Sequence, residues 1–273
     1  MTNITKLKNI ANSLRKEVLT MSYVAKKAHI SSCLSIVDIL VYLYWKEMKI
    51  KPKNPNWQKR DRFILSKGHA APALFATLAY RGFFPKKLLE SYGKNDSTMG
   101  MHPEFDLVPG IEVSTGALGH GLSIGAGMAL AEKINNTKRR VFVLVSDAEC
   151  DEGTTWEAIL FAPQHRLNNL FLLIDFNNLQ AFGRIKDVMN LEPFKDKLVS
   201  FGWNVFDTDG NDLKKIDAVF KKIGNSKSNK PNAIILNTIA GKGISFMEDK
   251  LAWHYQNLDE KLYKEALKEL NRK

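Results

Sequence analysis

The sequence predicts an α/β protein with a mostly parallel sheet covered by helices on both faces. Short apolar runs of strand length alternate with helical segments along the second half of the chain, as in repeated strand–helix–strand units. The runs at 141–145 and 170–174 are apolar throughout, which is typical of strands buried on both faces. Over 273 residues, 44% hydrophobic and 25% charged residues exclude a disordered or fibrous chain.

The first third of the chain is predicted to be mainly helical. Apolar residues recur at spacings of three and four from Ile4 to Met21, which predicts an amphipathic helix. A second helix is predicted over 35–45, and the prolines of the loop at 51–55 prevent its continuation. A short strand over 62–65 then leads through a polar turn to an alanine-rich helix over 72–80.

The segment 93–116 is predicted to be irregular, because it contains several Gly and Pro residues and little periodicity. Loops of this length inside a domain are usually functional or disordered. Beyond it the pattern is regular. The predicted elements are helix 118–134, strand 140–146, helix 153–166, strand 169–176, helix 191–201, strand 203–208, helix 211–224, strand 232–239 and helix 258–271.

Polar side chains follow two neighbouring strands of the predicted sheet. Asp147 and Asn177 are thirty residues apart, which matches one strand–helix–strand crossover and brings both to the same sheet edge. Ligands of such sheets bind beyond the carboxyl ends of the strands. A carboxylate and an amide oxygen there suit Mg²⁺, although each residue alone is also typical of a helix cap or a turn.

Several segments resemble blocks of transketolase, in transketolase order. The run 146–153, followed by Asn177 and Asn178, resembles the thiamine diphosphate motif, which begins Gly-Asp-Gly and closes with Asn. The other matching blocks are 66–70, 101–104, 114–121, 241–243 and 253–254. The resemblance covers essentially the entire chain, and it implies the thiamine diphosphate-binding fold.

The resemblance is to the first domain of that family. It implies that residues 1–273 form a single diphosphate-binding domain, and that the pyrimidine-binding and C-terminal domains belong to a separate chain. The chain thus resembles the N-terminal subunit of a split transketolase, whose partner is the C-terminal subunit in a heterotetramer of two of each chain. In this family the cofactor lies between the two polypeptides, and the glutamate that activates its aminopyrimidine comes from the missing half.

The resemblance also implies where the cofactor and its metal would bind. Asp147 and Asn177 would ligate magnesium or calcium through their side chains, and Leu179 would do so through its backbone carbonyl. The backbone at Ala148 would approach the diphosphate, and Glu152 matches a glutamate of the subunit-interface network. The remaining residues implied to line the cofactor pocket are His69, Gly116, Leu118 and His254.

The resemblance also implies that four of the six histidines act around the thiazolium and the sugar hydroxyls. They are His29, His69, His102 and His254. Cleavage of a carbon–carbon bond beside a carbonyl requires an electron sink, and it requires groups that exchange protons with hydroxyls near neutral pH. Histidine titrates in that range. By contrast, His165 lies within a predicted helix and is expected to be structural.

Two residues depart from the diphosphate motif, because Ser146 and Ala148 stand where glycine is usual. Alanine fits at a negative φ, whereas a positive φ would cost about 1 kcal/mol or more. Weak cofactor binding is therefore one open alternative, and a non-catalytic, regulatory subunit is another.

The predicted function is transfer of a two-carbon ketol unit from a ketose, expected to be a phosphate, to an aldose, in the presence of the partner subunit. Another thiamine diphosphate-dependent carboligase of specialised sugar metabolism is an alternative. A dinucleotide-binding loop at 119–127 is disfavoured, because its glycines do not follow a clear strand.

The net charge of +11 is concentrated near the N-terminus, where residues 1–67 hold 14 Lys or Arg and only 4 Asp or Glu. This surplus indicates either a phosphate-bearing ligand, an acidic partner or a solvated lysine-rich face. Lys51, Lys53 and Lys59 are predicted to support assembly or substrate affinity. Nucleic acid is not expected, because the basic residues form no stripe with stacking aromatics.

We expect a cytoplasmic protein with no membrane segment. The N-terminal residues carry no continuous apolar stretch of the kind found in signal peptides, and no apolar run approaches the roughly 20 residues that span a bilayer. The two cysteines, Cys33 and Cys150, suit a reducing compartment.

Overall fold

The central sheet of the protein, seen in a computed structural model that describes residues 3–272, consists of five parallel strands. The strands in chain order are β1 (Arg62–Leu65), β2 (Val141–Ser146), β3 (Leu170–Phe176), β4 (Leu179–Gln180), β5 (Gly183–Arg184), β6 (Asn204–Asp209) and β7 (Asn232–Asn237). The sheet order is β1-β2-β3-β7-β6, and β4 pairs with β5 in a separate antiparallel hairpin. The predicted fold class is therefore confirmed.

Helices cover both faces of this sheet. They are α1 (Ile4–Ala25), α2 (Ile30–Ser35), α3 (Val37–Tyr42), α4 (Ala71–Arg81), α5 (His120–Ile134), α6 (Gly153–Gln164), α7 (Ile185–Val188), α8 (Phe194–Ser200), α9 (Leu213–Gly224) and α10 (Glu260–Asn271). Along β2, Phe142 and Leu144 join the core beneath α1, α4 and α9, while Val143 and Val145 join the core beneath α5 and α6. This alternation is expected of a strand buried on both faces.

The prediction of one continuous helix over 35–45 is wrong about where the helix starts and about its continuity. Helical structure begins at Ile30, breaks between α2 and α3, and continues as a π-helical turn over Leu43–Glu47. Every residue from 30 to 44 is buried. A segment buried on all sides has no single apolar face, so its sequence lacks the periodicity from which helix ends are predicted.

The region after β3 also differs from its prediction. The β4–β5 hairpin and α7 are unpredicted, and the helix predicted over 191–201 is shorter, at Phe194–Ser200. Two-residue strands are too short to produce an alternating pattern. Strand 232–239 ends two residues early, at Asn237. None of the helices within residues 3–272 is long and apolar enough to cross a membrane.

The register of the sheet brings the ends of neighbouring strands to one edge. Ser146 at the end of β2 pairs with Asp175 of β3, and Phe176 at the end of β3 pairs with Asn237 of β7. The loops that follow these strands therefore meet, as Asp147 and Asn177 were predicted to do.

Candidate active site

A cavity of about 340 Å³ opens at the carboxyl edge of the sheet. Its walls come from the start of α2, from the loops after β1, β2, β3 and β7, and from a short helical turn over Leu251–His254. The predicted site residues that line it are His29, His69, Gly116, Leu118, Ala148, Glu152, Asn177, Leu179 and His254. Asp147 is fully buried next to them, and His102 lies outside the lining.

The Asp147 carboxylate is held by backbone amides at the floor of the site. Its Oδ1 accepts a hydrogen bond of 2.9 Å from the Ala148 amide, and its Oδ2 accepts one of 2.6 Å from the Asn178 amide. Burial, followed by the nearby Asp175 carboxylate, raises the pKa of Asp147 to about 7. A buried carboxylate beside a second one is stabilised by a cation, so Asp147 fits the predicted metal site.

The Asn177 side chain is fixed at both ends of its amide. Its Nδ2 donates to Asp175 Oδ2 at 3.0 Å, and its Oδ1 accepts from the Leu179 amide at 3.0 Å. Within residues 3–272 no three His, Cys, Asp or Glu side chains form a metal-binding cluster. The predicted set is instead one carboxylate, one amide oxygen and one backbone carbonyl, which are hard oxygen donors suited to Mg²⁺ or Ca²⁺.

Asp175 and Lys67 form a buried ion pair that the sequence pattern did not predict. Lys67 Nζ lies 2.6 Å from Asp175 Oδ2, and neither side chain is exposed to solvent. The same carboxylate accepts hydrogen bonds from Ser35, Asn177 and Thr238. Asp175 interrupts the apolar run of β3 between Ile174 and Phe176, and a charge within such a run was the available signal.

The turn after β2 accommodates both departures from the glycine-rich motif. Ala148 begins a 3₁₀ turn and is not among the residues with positive φ, so its side chain causes no backbone strain. The Ser146 hydroxyl accepts a hydrogen bond of 3.1 Å from the Glu149 amide. The buried Glu149 carboxylate in turn accepts from Ser66 and from the Gly119 amide.

Three histidines form a cluster in the wall of the cavity. The ring centroid of His29 lies 5.2 Å from those of His69 and His254, and the latter two are 6.1 Å apart. The His29 amide donates to the His254 carbonyl at 3.1 Å, and Ser32 Oγ lies 3.0 Å from His69 Nε2. Residues from distant parts of the sequence therefore converge here.

The environment of the cluster favours neutral imidazoles. Burial, followed by His29 and Lys67, lowers the pKa of His254 to about 4. Burial and then Lys67 lower the pKa of His69 well below its usual value, and burial, His102 and Lys67 lower that of His29. A neutral imidazole has one donor and one acceptor nitrogen, so each of these rings can both accept and donate a hydrogen bond near neutral pH.

Gly116 brings the long loop 93–116 against the turn after β1. Its φ is +150°, and a Cβ at this position would lie 3.1 Å from the His102 ring. A Cβ on Gly68 would lie 2.8 Å from the Gly116 amide nitrogen, so the two backbones can approach this closely only because residue 68 is glycine. His102 is thus placed beside the cavity wall.

Comparison with protein families matches residues 7–271 to the family described as transketolase, thiamine diphosphate binding domain. The chain belongs to the transketolase family. It is 40% identical to the 6-deoxy-6-sulfo-D-fructose transketolase subunit SqwG of Clostridium sp. (strain MSTE9), over 97% of this chain and 96% of that one. It is also 40% identical to a subunit of the apulose-4-phosphate transketolase of Phocaeicola vulgatus, over 94% of this chain and 91% of that one.

Solved transketolase structures share the fold. The transketolase of Campylobacter jejuni superposes with a TM-score of 0.93 at 31% identity, over 99% of this chain. This chain spans only 43% of the Campylobacter jejuni chain, in contrast to the near-complete match with the two subunits. The expected resemblance to the N-terminal subunit of a split transketolase is therefore confirmed, and the chain is a thiamine diphosphate-dependent transketolase subunit.

The remaining predicted residues lie at the border of the transketolase cavity or away from it. Glu152 is exposed at the cavity edge, where it is accessible to a second chain. His165 packs on Phe161, with 4.1 Å between ring centroids, and takes no part in the site. His120 is exposed and is the first residue of α5. Because α5 follows a loop and not a strand, the glycines at 119–127 lack the strand–turn–helix setting of a dinucleotide-binding motif.

The lysines predicted to support substrate affinity lie elsewhere. Lys51, Lys53 and Lys59 are exposed in the loop that precedes the amino end of β1. The cavity lies at the opposite edge of the sheet, so a substrate role for these lysines is wrong for geometric reasons. A role in assembly stays a prediction.

Proposed function

We propose that this chain holds the diphosphate and metal end of thiamine diphosphate, and that it catalyses ketol transfer together with a C-terminal transketolase subunit. The observation that carries the proposal is one cavity lined by Asn177, Leu179 and three histidines, with Asp147 buried next to it. When bound, thiamine diphosphate supplies the nucleophilic carbon and the electron sink for cleavage of a carbon–carbon bond next to a carbonyl.

The floor of the cavity would hold the metal. Asp147 and Asn177 would each contribute a side-chain oxygen and Leu179 its carbonyl oxygen, while diphosphate and water would complete the coordination of Mg²⁺ or Ca²⁺. The hydrogen bond from Asn177 to Asp175 supports this role, because it keeps the amide oxygen from exchanging places with the nitrogen.

The histidines would handle protons of the sugar hydroxyls. His29, His69 and His254 line the cavity, and the unprotonated nitrogen of each ring could accept a hydrogen bond from a sugar hydroxyl and take up its proton. His102 would join them from the loop beside Gly116. Water is restricted in such a cavity once a second chain covers it, and this strengthens each polar contact.

The substrates proposed here are a ketose donor with a terminal anionic group and an aldose acceptor. Two relatives support this class, because their names specify a sulfonated fructose and a sugar phosphate. The partner would be the C-terminal subunit, in a complex of two copies of each chain. Glu152, exposed at the cavity edge, would then contact a neighbouring subunit.

Reconstitution tests the proposal. This chain, the C-terminal subunit, thiamine diphosphate and Mg²⁺ should together transfer a two-carbon unit from ketose to aldose, measured as product aldose, whereas neither chain by itself should do so. Full activity from this chain without its partner would contradict the split arrangement. Calorimetry on the assembled complex should show cofactor binding that depends on Mg²⁺, and a complex without binding would support the regulatory alternative.

A further inference from the structure

A second cavity, of about 590 Å³, lies at the amino edge of the sheet. It lies between the loop that precedes β1 and the loop that precedes β2, and its lining includes Lys49, Trp57, Lys59, Lys138 and Arg139. We call it the amino-edge groove. Because β2 is six residues long, the groove is roughly 20 Å from the transketolase cavity.

The two loops that form the amino-edge groove are fixed to each other. Arg139 Nη1 donates to the Gln58 carbonyl at 2.7 Å. The Asp61 carboxylate, only 1% exposed, accepts from the Lys49 amide at 2.9 Å and from the Arg140 amide at 3.0 Å. The groove is therefore preformed, which lowers the entropic cost of binding a ligand.

The positive charge of the amino-edge groove is not neutralised by the protein. Lys49, Lys59 and Lys138 are exposed, and within residues 3–272 none of them forms an ion pair. Arg139 differs, because it pairs with Glu132. Three ammonium groups thus remain available to an anion, and they come from segments distant in sequence.

Trp57 adds an aromatic surface to this charge. It is half-buried, and Lys51 Nζ lies over one face of its ring, 4.5 Å from the centroid, so a planar ligand would stack on the other face. A planar group can stack on an indole ring, and nucleobases do so without regard to sequence.

We propose that the amino-edge groove binds a nucleoside diphosphate or triphosphate, with the base on Trp57 and the phosphates on Lys49, Lys59 and Lys138. The volume of the groove falls within the range of small-molecule sites. This site is separate from the cavity proposed for ketol transfer. Two of its lysines, Lys49 and Lys59, belong to the basic N-terminal segment, which would thus bind an anionic ligand.

The test is calorimetric titration of the full chain with ADP in the absence of magnesium. ADP should bind with a Kd below about 1 mM and more weakly as salt is added. The double variant Lys59→Glu/Lys138→Glu should bind at least about tenfold more weakly. The control Lys261→Glu/Lys268→Glu makes the same charge change on exposed residues of α10 and should bind like the wild type.

Tripolyphosphate and thiamine diphosphate serve as competing ligands in the same titration. Trp57→Leu should weaken ADP binding more than tripolyphosphate binding, and Asp147→Ala should leave ADP binding unchanged. The proposal is overturned by absence of saturable ADP binding, by unchanged affinity in the Lys59→Glu/Lys138→Glu variant, or by displacement of ADP by thiamine diphosphate. Equal affinities for ADP and tripolyphosphate would overturn the assignment to nucleotides. Neither partner nor turnover is needed, so failure here leaves the transketolase proposal standing.

Discussion

Lys67 Nζ and Asp175 Oδ2 lie 2.6 Å apart in a fully buried ion pair that joins the end of β1 to the end of β3. Asp175 also accepts a hydrogen bond from Asn177, a predicted metal ligand. Lys67 contributes to the lowered pKa values of three histidines. One buried pair therefore both positions a predicted metal ligand and affects the histidine cluster.

Removal of the lysine from this pair should destabilise the fold strongly. Lys67→Met leaves the Asp175 carboxylate buried without its counter-charge, and the free energy of unfolding should fall by about 3–5 kcal/mol. Urea denaturation of the isolated chain measures this free energy of unfolding. The double variant Lys67→Met/Asp175→Asn removes both charges and should recover part of the loss. A double variant less stable than the single one would contradict this explanation.

Asp147→Ala should abolish binding of thiamine diphosphate with Mg²⁺ in the assembled complex. It removes the only carboxylate of the predicted metal set, so affinity should fall at least about 100-fold. Calorimetry with and without Mg²⁺ measures this. Glu157→Ala, on the exposed surface of α6, is the control and should bind as the wild type does. Binding that survives in the Asp147→Ala variant would place the metal elsewhere.

His254 should make the fold sensitive to acid. Its pKa is about 4 in the folded state, against an ordinary value near 6.5 in the unfolded chain. Below pH 6.5 the unfolded state therefore binds more protons, so stability falls as the pH drops from about 6.5 to 4. After allowance for partial exposure, we expect roughly 2 kcal/mol to be lost over this range.

The variant His254→Gln tests this pH dependence. Urea denaturation at pH 7 and pH 4.5 should show a smaller loss of stability in the variant than in the wild type. His165→Gln, outside the cavity, should retain most of the wild-type loss. Equal losses in His254→Gln and the wild type would show that His254 does not control acid sensitivity.

Gly116→Ala should disturb the loop that carries His102. The residue has a positive φ, and the added methyl group would contact the His102 ring, so we expect a loss of about 1–2 kcal/mol in stability. Gly127→Ala is the matched control. It lies in the middle of α5 with open space around the new methyl group, and it should stabilise the isolated chain by about 0.5–1 kcal/mol. Thermal denaturation of both variants measures the difference in stability. Equal shifts in melting temperature would contradict a specific role for Gly116.

The strands and their polar ends were predictable because the signals are local. Buried parallel strands give continuous apolar runs, and Asp147 follows such a run directly. Local signals did not predict the start of α2, because a helix that is buried on every side has no alternation of apolar and polar residues. Local signals also did not predict the β4–β5 hairpin, because its strands are only two residues long.

By itself, the sequence determined the α/β class, the transketolase motifs and the residue types available for metal and proton chemistry. Only the tertiary structure decided that Lys67 pairs with Asp175 and that His29, His69 and His254 line one cavity. It also placed Lys51, Lys53 and Lys59 at the opposite edge of the sheet. The physical reason is that hydrophobic periodicity reports burial along one element, whereas contacts between charged groups depend on how distant elements pack.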